Sequence, residues 1–117
     1  MPSLSGQYGV GAFFVLISAL LHLAALVFGG FSTDAIGLGV AGVVYLIIVA
    51  GLTRNMRWLA WITFFLVGIG GSVALSYVWA DTTVPTWIFI GIVVADWLAA
   101  LGLFVALWKP KDSRRQA

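Results

Sequence analysis

Two side chains that could carry chemistry, His22 and Asp96, lie inside long apolar stretches of the sequence. Asp96 is near the middle of the run 85–108, and His22, the only histidine, is in the run 10–31. An ionisable group inside a lipid-embedded helix is costly, so it marks a function or a specific partner. An isolated carboxylate there would become neutral by taking up a proton, and a nearby imidazole could accept or share that proton.

His22 and Asp96 are predicted to lie at the same depth. Counted from the predicted outer boundary, they are about 9 and about 11 residues in, or roughly 14 and 17 Å at the helical rise. Tyr45 and Ser72 fall near that level in the second and third apolar runs. We therefore predict a polar layer of His22, Asp96, Tyr45 and Ser72. It could fix the helix register, relay protons or line a small cavity, or Asp96 could point outward to another protein.

His22 has a second candidate role, as a cofactor ligand. Ser18, four residues earlier, leaves room for a flat macrocycle beside the helix. Neutral imidazole is a good axial ligand for haem iron, and the magnesium of a chlorophyll-type pigment is another conceivable target. A single histidine excludes bis-histidine haem ligation within one chain. Haem or pigment at His22 is kept as a minor alternative, and no metal site is predicted, because such sites need three or four ligands.

The composition indicates a membrane protein. Apolar residues make up 62% of the 117 residues and charged residues 9%, whereas soluble domains are about 25% charged. So few polar groups cannot cover a globular surface, and lipid must be the solvent for most of the chain. The absence of cysteine excludes disulfides and thiol catalysis. The net charge of +2 is small and clustered, which bears on membrane topology and not on nucleic acid.

Four apolar runs are each long enough to cross a bilayer as a helix. They cover about 10–31, 35–53, 58–80 and 84–108, and short polar breaks join them. Ser32, Thr33 and Asp34 offer an N-cap to the second helix, and 81–83 offer one to the fourth. We predict an all-α integral membrane protein, with residues 1–117 forming a single membrane domain. Short loops favour an antiparallel bundle of four transmembrane helices.

The basic residues predict the orientation of this bundle. Arg54 and Arg57 lie in the second break, and the tail 109–117 holds the other four, Lys109, Lys111, Arg114 and Arg115. With four spans these positions fall on one side, so the positive-inside rule places both termini in the cytoplasm. The predicted location is the bacterial inner membrane. The tail is also a candidate contact for anionic lipid.

Small residues at a spacing of three or four predict where helices approach closely. On the first helix, Gly29 shares a face with His22. Candidate contact positions on the other three helices are Gly39, Gly68, Ser72, Gly91, Ala95, Ala99 and Gly102. These positions could pack the bundle or face a partner subunit.

The motifs argue against an enzyme. The sequence contains no nucleophile elbow, phosphate-binding loop or cluster of catalytic carboxylates. The leading prediction is a non-catalytic integral subunit or an accessory/assembly protein of a larger membrane complex. One form of this prediction is that the complex is energy-transducing. The alternative is a small homo-oligomeric transporter or proton-conducting channel that uses Asp96 and His22.

Overall fold

Four long helices account for most of the chain in the computed structural model, which describes residues 8–80 and 84–108. They are α1 (Gly9–Phe28), α2 (Thr33–Leu52), α3 (Arg57–Tyr77) and α4 (Thr86–Trp108). Each contains a stretch long and apolar enough to cross a membrane. The prediction of four such helices is therefore confirmed. The predicted caps at 81–83 and the basic tail 109–117 lie outside the described residues.

The connection between α1 and α2 starts earlier than predicted, because the backbone leaves the helical conformation at Gly30 and Phe31. Gly30 and Phe31 have φ of 66° and 59°, a left-handed conformation that glycine tolerates and that no α-helix continues through. Ser32 then caps α2 as predicted, since its hydroxyl accepts the Ala35 N–H at 3.2 Å. α1 therefore ends at Phe28 and not at residue 31.

The helices are not equally in contact with one another. α1 packs against both α2 and α4, and α3 packs mainly against α4. α2 and α3 make few contacts, and a side chain added at Gly51 would meet Leu59 beside their connection. We call the end where α2 begins the Thr33 end, and the opposite end, where α3 begins, the Arg57 end.

Arg57 ties three helices together at its end of the bundle. Its Nη2 donates to the Leu107 carbonyl oxygen at 2.7 Å, and its Nη1 lies 3.4 Å from the Tyr8 hydroxyl. A guanidinium suits the end of α4, where carbonyl groups lack partners within the helix. The start of α1 and the end of α4 consequently lie at the same end as Arg54 and Arg57.

Most of the predicted small-residue positions pack inside the bundle. A Cβ at Gly39 would lie 3.0 Å from Leu26, and one at Gly91 would lie 3.0 Å from Leu21. The remaining packed positions are Gly29, which meets Ala35 and Val84; Gly102, which meets Val10 and Gly11; and the buried Ala95 and Ala99. Close approach of α1 to its neighbours therefore depends on these residues.

The predicted stripe on α3 does not pack in this way. No atom lies within 4 Å of a Cβ built at Gly68, and Ser72 is exposed. The face of α3 that packs carries Ala60, Thr63, Val67, Gly71 and Ala74 instead. Of the two alternatives for Gly68 and Ser72, packing within the bundle does not occur, and contact with a partner subunit stays a prediction.

Candidate functional site

The Asp96 carboxylate joins three helices in the interior of the bundle. Asp96 is 0% exposed on α4. The Ser18 hydroxyl of α1 donates a hydrogen bond to its Oδ1, and the Tyr45 hydroxyl of α2 lies 3.4 Å from its Oδ2. Both carboxylate oxygens thus face hydroxyl groups from other helices, which offsets part of the cost of burying the acid.

His22 reaches the carboxylate through Ser18. Its Nδ1 lies 2.6 Å from the Ser18 carbonyl oxygen and 3.3 Å from the Ser18 hydroxyl. A carbonyl oxygen only accepts, so Nδ1 carries the hydrogen, and the unprotonated nitrogen of the neutral ring is Nε2. The His22 ring also packs edge-on against Tyr45, with centroids 5.0 Å apart. Ser18, His22, Tyr45 and Asp96 form what we call the Asp96 cluster.

Helical spacing explains why α1 contributes two members. Ser18 and His22 are four residues apart and therefore lie on one face. Their face also carries Gly11, Val15 and Ala25, and all five are buried. The short Ser18 side chain lets α4 approach closely enough for the Asp96 contact.

Two glycines let α3 pack closely against the cluster. A Cβ at Gly70 would lie 3.1 Å from the Tyr45 hydroxyl and 3.4 Å from Asp96 Oδ2. A Cβ at Gly71 would lie 2.7 Å from the Trp97 ring and 3.1 Å from the Asp96 Cβ. Because neither glycine has a side chain, the α3 backbone can pack directly against Asp96.

The structure brings together His22, Tyr45 and Asp96 from the predicted polar layer, but not Ser72. The Ser72 hydroxyl donates to the Gly68 carbonyl oxygen of its own helix at 2.9 Å, on the exposed side of α3. Ser18 takes its place as the serine of the cluster. The sequence signal for Ser18 is its spacing of four residues from His22. The cofactor prediction at His22 uses its small size but not its hydroxyl group.

The Asp96 cluster divides the core of the bundle. On the Thr33 side lie apolar residues such as Ala25, Ile88 and Ile92, and on the other side lie Val15, Val67 and Leu103. The cluster is therefore a polar layer with apolar packing on either side. Low polarity around it strengthens each internal hydrogen bond and raises the cost of any that is lost.

The cluster can hold or release a proton with little movement. An ionised Asp96 accepts hydrogen bonds from the Ser18 and Tyr45 hydroxyls. A protonated Asp96 must donate one instead, and a hydroxyl that rotates about its C–O bond can accept it. Both protonation states therefore fit the same positions of the heavy atoms.

The cofactor prediction at His22 stays untested, although the space it needs is occupied in this fold. His22 is 6% exposed, and Ser18, beside which a macrocycle would lie, is 0% exposed and contacts Asp96. Within residues 8–80 and 84–108, no group of three or more histidine or acidic side chains is placed to hold a metal ion.

The fold and site together define an all-helical bundle, with four helices long enough to cross a membrane, built around a buried carboxyl–hydroxyl–imidazole cluster. Comparisons with family models, curated proteins and solved structures found no match for this chain.

Proposed function

We propose that this chain is a small non-catalytic membrane protein that takes up and releases a proton at Asp96, inside the bilayer. The observation that supports this most is the complete burial of an acid whose two oxygens face hydroxyls from two other helices. Intramembrane acids in such surroundings serve proton relays in pumps and transporters. His22, joined to the acid through Ser18, is the second group able to carry the proton.

A proton suits this site better than a larger solute. Besides the tyrosines, the buried polar or charged side chains of the described residues are Ser18, His22, Thr63 and Asp96. Three of these four belong to the cluster, as does Tyr45, and apolar packing flanks it on both sides. A hydrated ion needs a continuous polar path, whereas a proton can pass between hydrogen-bonded groups.

Proton flux in liposomes tests this proposal. Flux driven by a potassium diffusion potential should occur with the wild-type protein and be lost with Asp96→Asn. The Ser72→Ala variant is the matched control, because Ser72 is exposed and bonds only to its own helix. Equal flux with and without Asp96 would contradict the proposal. The proposal would also be contradicted if neither the protein alone nor any complex that purifies with it shows proton flux.

A second proposal, compatible with the first, is that the chain acts as a subunit of a larger membrane complex. Gly68, Ser72 and Ser76 lie on α3 at a spacing of four residues, and both serines are exposed and bond to carbonyls of α3. Most of the helical glycines in this bundle mark close helix contacts, yet Gly68 has none. A helix of another integral membrane subunit would fit this face by the same close packing.

Co-purification in mild detergent tests the subunit proposal. Gly68→Leu should leave the isolated protein folded, because nothing lies within 4 Å of the added Cβ, and it should release the partner. Gly37→Leu is the matched control, since Gly37 on α2 has equally open surroundings. Partners retained by Gly68→Leu, or a wild-type protein that purifies only as a homo-oligomer, would contradict this proposal.

We also propose that the Arg57 end faces the cytoplasm of a bacterial inner membrane. Support comes from the distribution of all six basic residues, which lie between the end of α2 and the first residue of α3 and in the tail 109–117. Cytoplasmic segments are enriched in such residues. In this orientation Lys109, Lys111, Arg114 and Arg115 would meet anionic headgroups of the inner leaflet.

A further inference from the structure

We propose that a water-filled vestibule between α2 and α3 connects Asp96 to the Thr33 end of the bundle and not to the Arg57 end. This inference rests on the proposed proton uptake at Asp96 and adds the side from which the proton comes. A cavity of about 250 Å³ lies near the Thr33 end. Its lining residues are Thr33, Gly37, Leu38, Tyr77 and Phe89.

The cavity and the Asp96 cluster lie along the same faces of the same three helices. The pairs of positions, each seven residues apart, are Leu38 and Tyr45 on α2, Tyr77 and Gly70 on α3, and Phe89 and Asp96 on α4. Seven residues are close to two helical turns, which return to nearly the same face after a rise of about 10 Å. The cavity therefore lies about two helical turns from Asp96, towards the Thr33 end.

On α2 and α3 the turn between the cavity and the cluster carries alanine, and on α4 it carries the buried Ile92 and Val93. Ala41 of α2, Ala74 of α3 and Val93 of α4 lie one turn in from the lining. At the level of the acid, Gly70 has no side chain, and a Cβ there would lie 3.1 Å from the Tyr45 hydroxyl. Entry of water across this single turn would connect Asp96, which is 0% exposed, with the cavity.

The lining of the cavity favours water as its occupant. Thr33 and Tyr77, two of its lining residues, carry hydroxyl groups. A wholly apolar cavity stays dry, whereas polar partners hold water, and each water needs about 30 Å³ of liquid volume. The few contacts between α2 and α3 leave this space open.

Towards the Arg57 end α2 and α3 converge, because a Cβ at Gly51 would clash with Leu59. Between that end and Asp96 lie Val67, Ala99 and Leu103, each 0% exposed. Arg57 crosses the end itself through its bond to the Leu107 carbonyl oxygen. Thr63 places one buried hydroxyl on this side, but Val67 lies between it and Gly70 along α3.

Single cysteines test the route without interference, because the chain has none of its own. Ala74→Cys and Val67→Cys form a matched pair, since both lie on the buried face of α3, about one turn from Gly70 on opposite sides. A charged methanethiosulfonate reagent attacks thiolate in contact with water, so Ala74→Cys should react at least about tenfold faster than Val67→Cys. Gly37→Cys, in open space, is a second reporter of the vestibule.

Two exposed or partly exposed positions calibrate the sides of the membrane. Reagent applied to the side that labels Ala80→Cys should label Ala74→Cys and Gly37→Cys, and reagent applied to the side that labels Thr53→Cys should label neither. Equal rates at Ala74→Cys and Val67→Cys would overturn the vestibule, as would entry from the Thr53 side. Reaction at Ala74→Cys and Gly37→Cys only with an apolar maleimide would mean that lipid fills the cavity, which also overturns it. Labelling reports water alone, so the route and the proposed proton flux fail separately.

Discussion

Replacing Asp96 with asparagine is expected to remove one titrating proton from the folded protein while leaving the bundle intact. The amide has nearly the shape of the carboxyl group, and its oxygen can still accept the Ser18 hydroxyl, but it cannot ionise. Asp96 and His22 share no direct ion pair that the substitution would break, because Ser18 lies between them. We expect melting curves of the two proteins in detergent to be similar.

The measurement is the free energy of unfolding as a function of pH. Its slope reports the difference in bound protons between the unfolded and folded states, and one proton corresponds to at most about 1.4 kcal/mol per pH unit. Asp96 is one of four acidic residues, and the other three are common to both proteins. The difference between the two curves therefore isolates Asp96. Parallel curves would mean that Asp96 binds its proton equally in the folded and unfolded states, which would contradict an effect of the buried cluster on this residue.

Ser18→Ala is expected to destabilise the bundle more than the loss of an average hydrogen bond between membrane helices, about 0.6 kcal/mol. The variant removes the hydroxyl that donates to Asp96 Oδ1. Leaving the buried acid without that hydrogen-bond donor should lower the free energy of unfolding of the protein by about 1–3 kcal/mol. The substitution also removes the link between His22 and Asp96, so it should slow proton flux as well.

Ser72→Ala is the control for this prediction, because it deletes the same hydroxyl from the exposed side of α3. We expect it to change the free energy of unfolding by less than about 0.5 kcal/mol. Combining Ser18→Ala with Asp96→Asn completes a double-mutant cycle, and residues in direct contact should show a coupling energy of about 0.5 kcal/mol or more. Additive effects, or equal losses at Ser18 and Ser72, would contradict the described contact.

The helices could be predicted from the sequence because length and apolarity determine them directly. Backbone groups in lipid need partners within the helix, so each apolar run of sufficient length has one sensible conformation. The end of α1 was placed too late because Gly29, Gly30 and Phe31 are apolar enough to continue the run. The left-handed conformation of Gly30 and Phe31 decides the boundary, and hydropathy does not report it.

The depth of the site residues was easier to predict than their direction. Counting along each helix places His22, Tyr45 and Asp96 at one level, and the structure brings these three together. The rotation of α3 could not be predicted in this way, because Gly68, Gly70, Gly71 and Ser72 put small residues on every face. Ser72 was therefore assigned to the interior, where the structure has Gly70 and Gly71. Whether the cluster transfers protons stays a prediction.

Infrared spectroscopy of the protein in lipid tests the central claim, that Asp96 exchanges a proton while buried in the folded bundle. Subtracting the spectrum of Asp96→Asn from that of the wild type isolates one carboxyl group among the four in the chain. We predict a carboxyl C=O band that appears and disappears reversibly with pH and shifts when H2O is replaced by D2O. A difference spectrum that neither changes with pH nor shifts in D2O would contradict the claim.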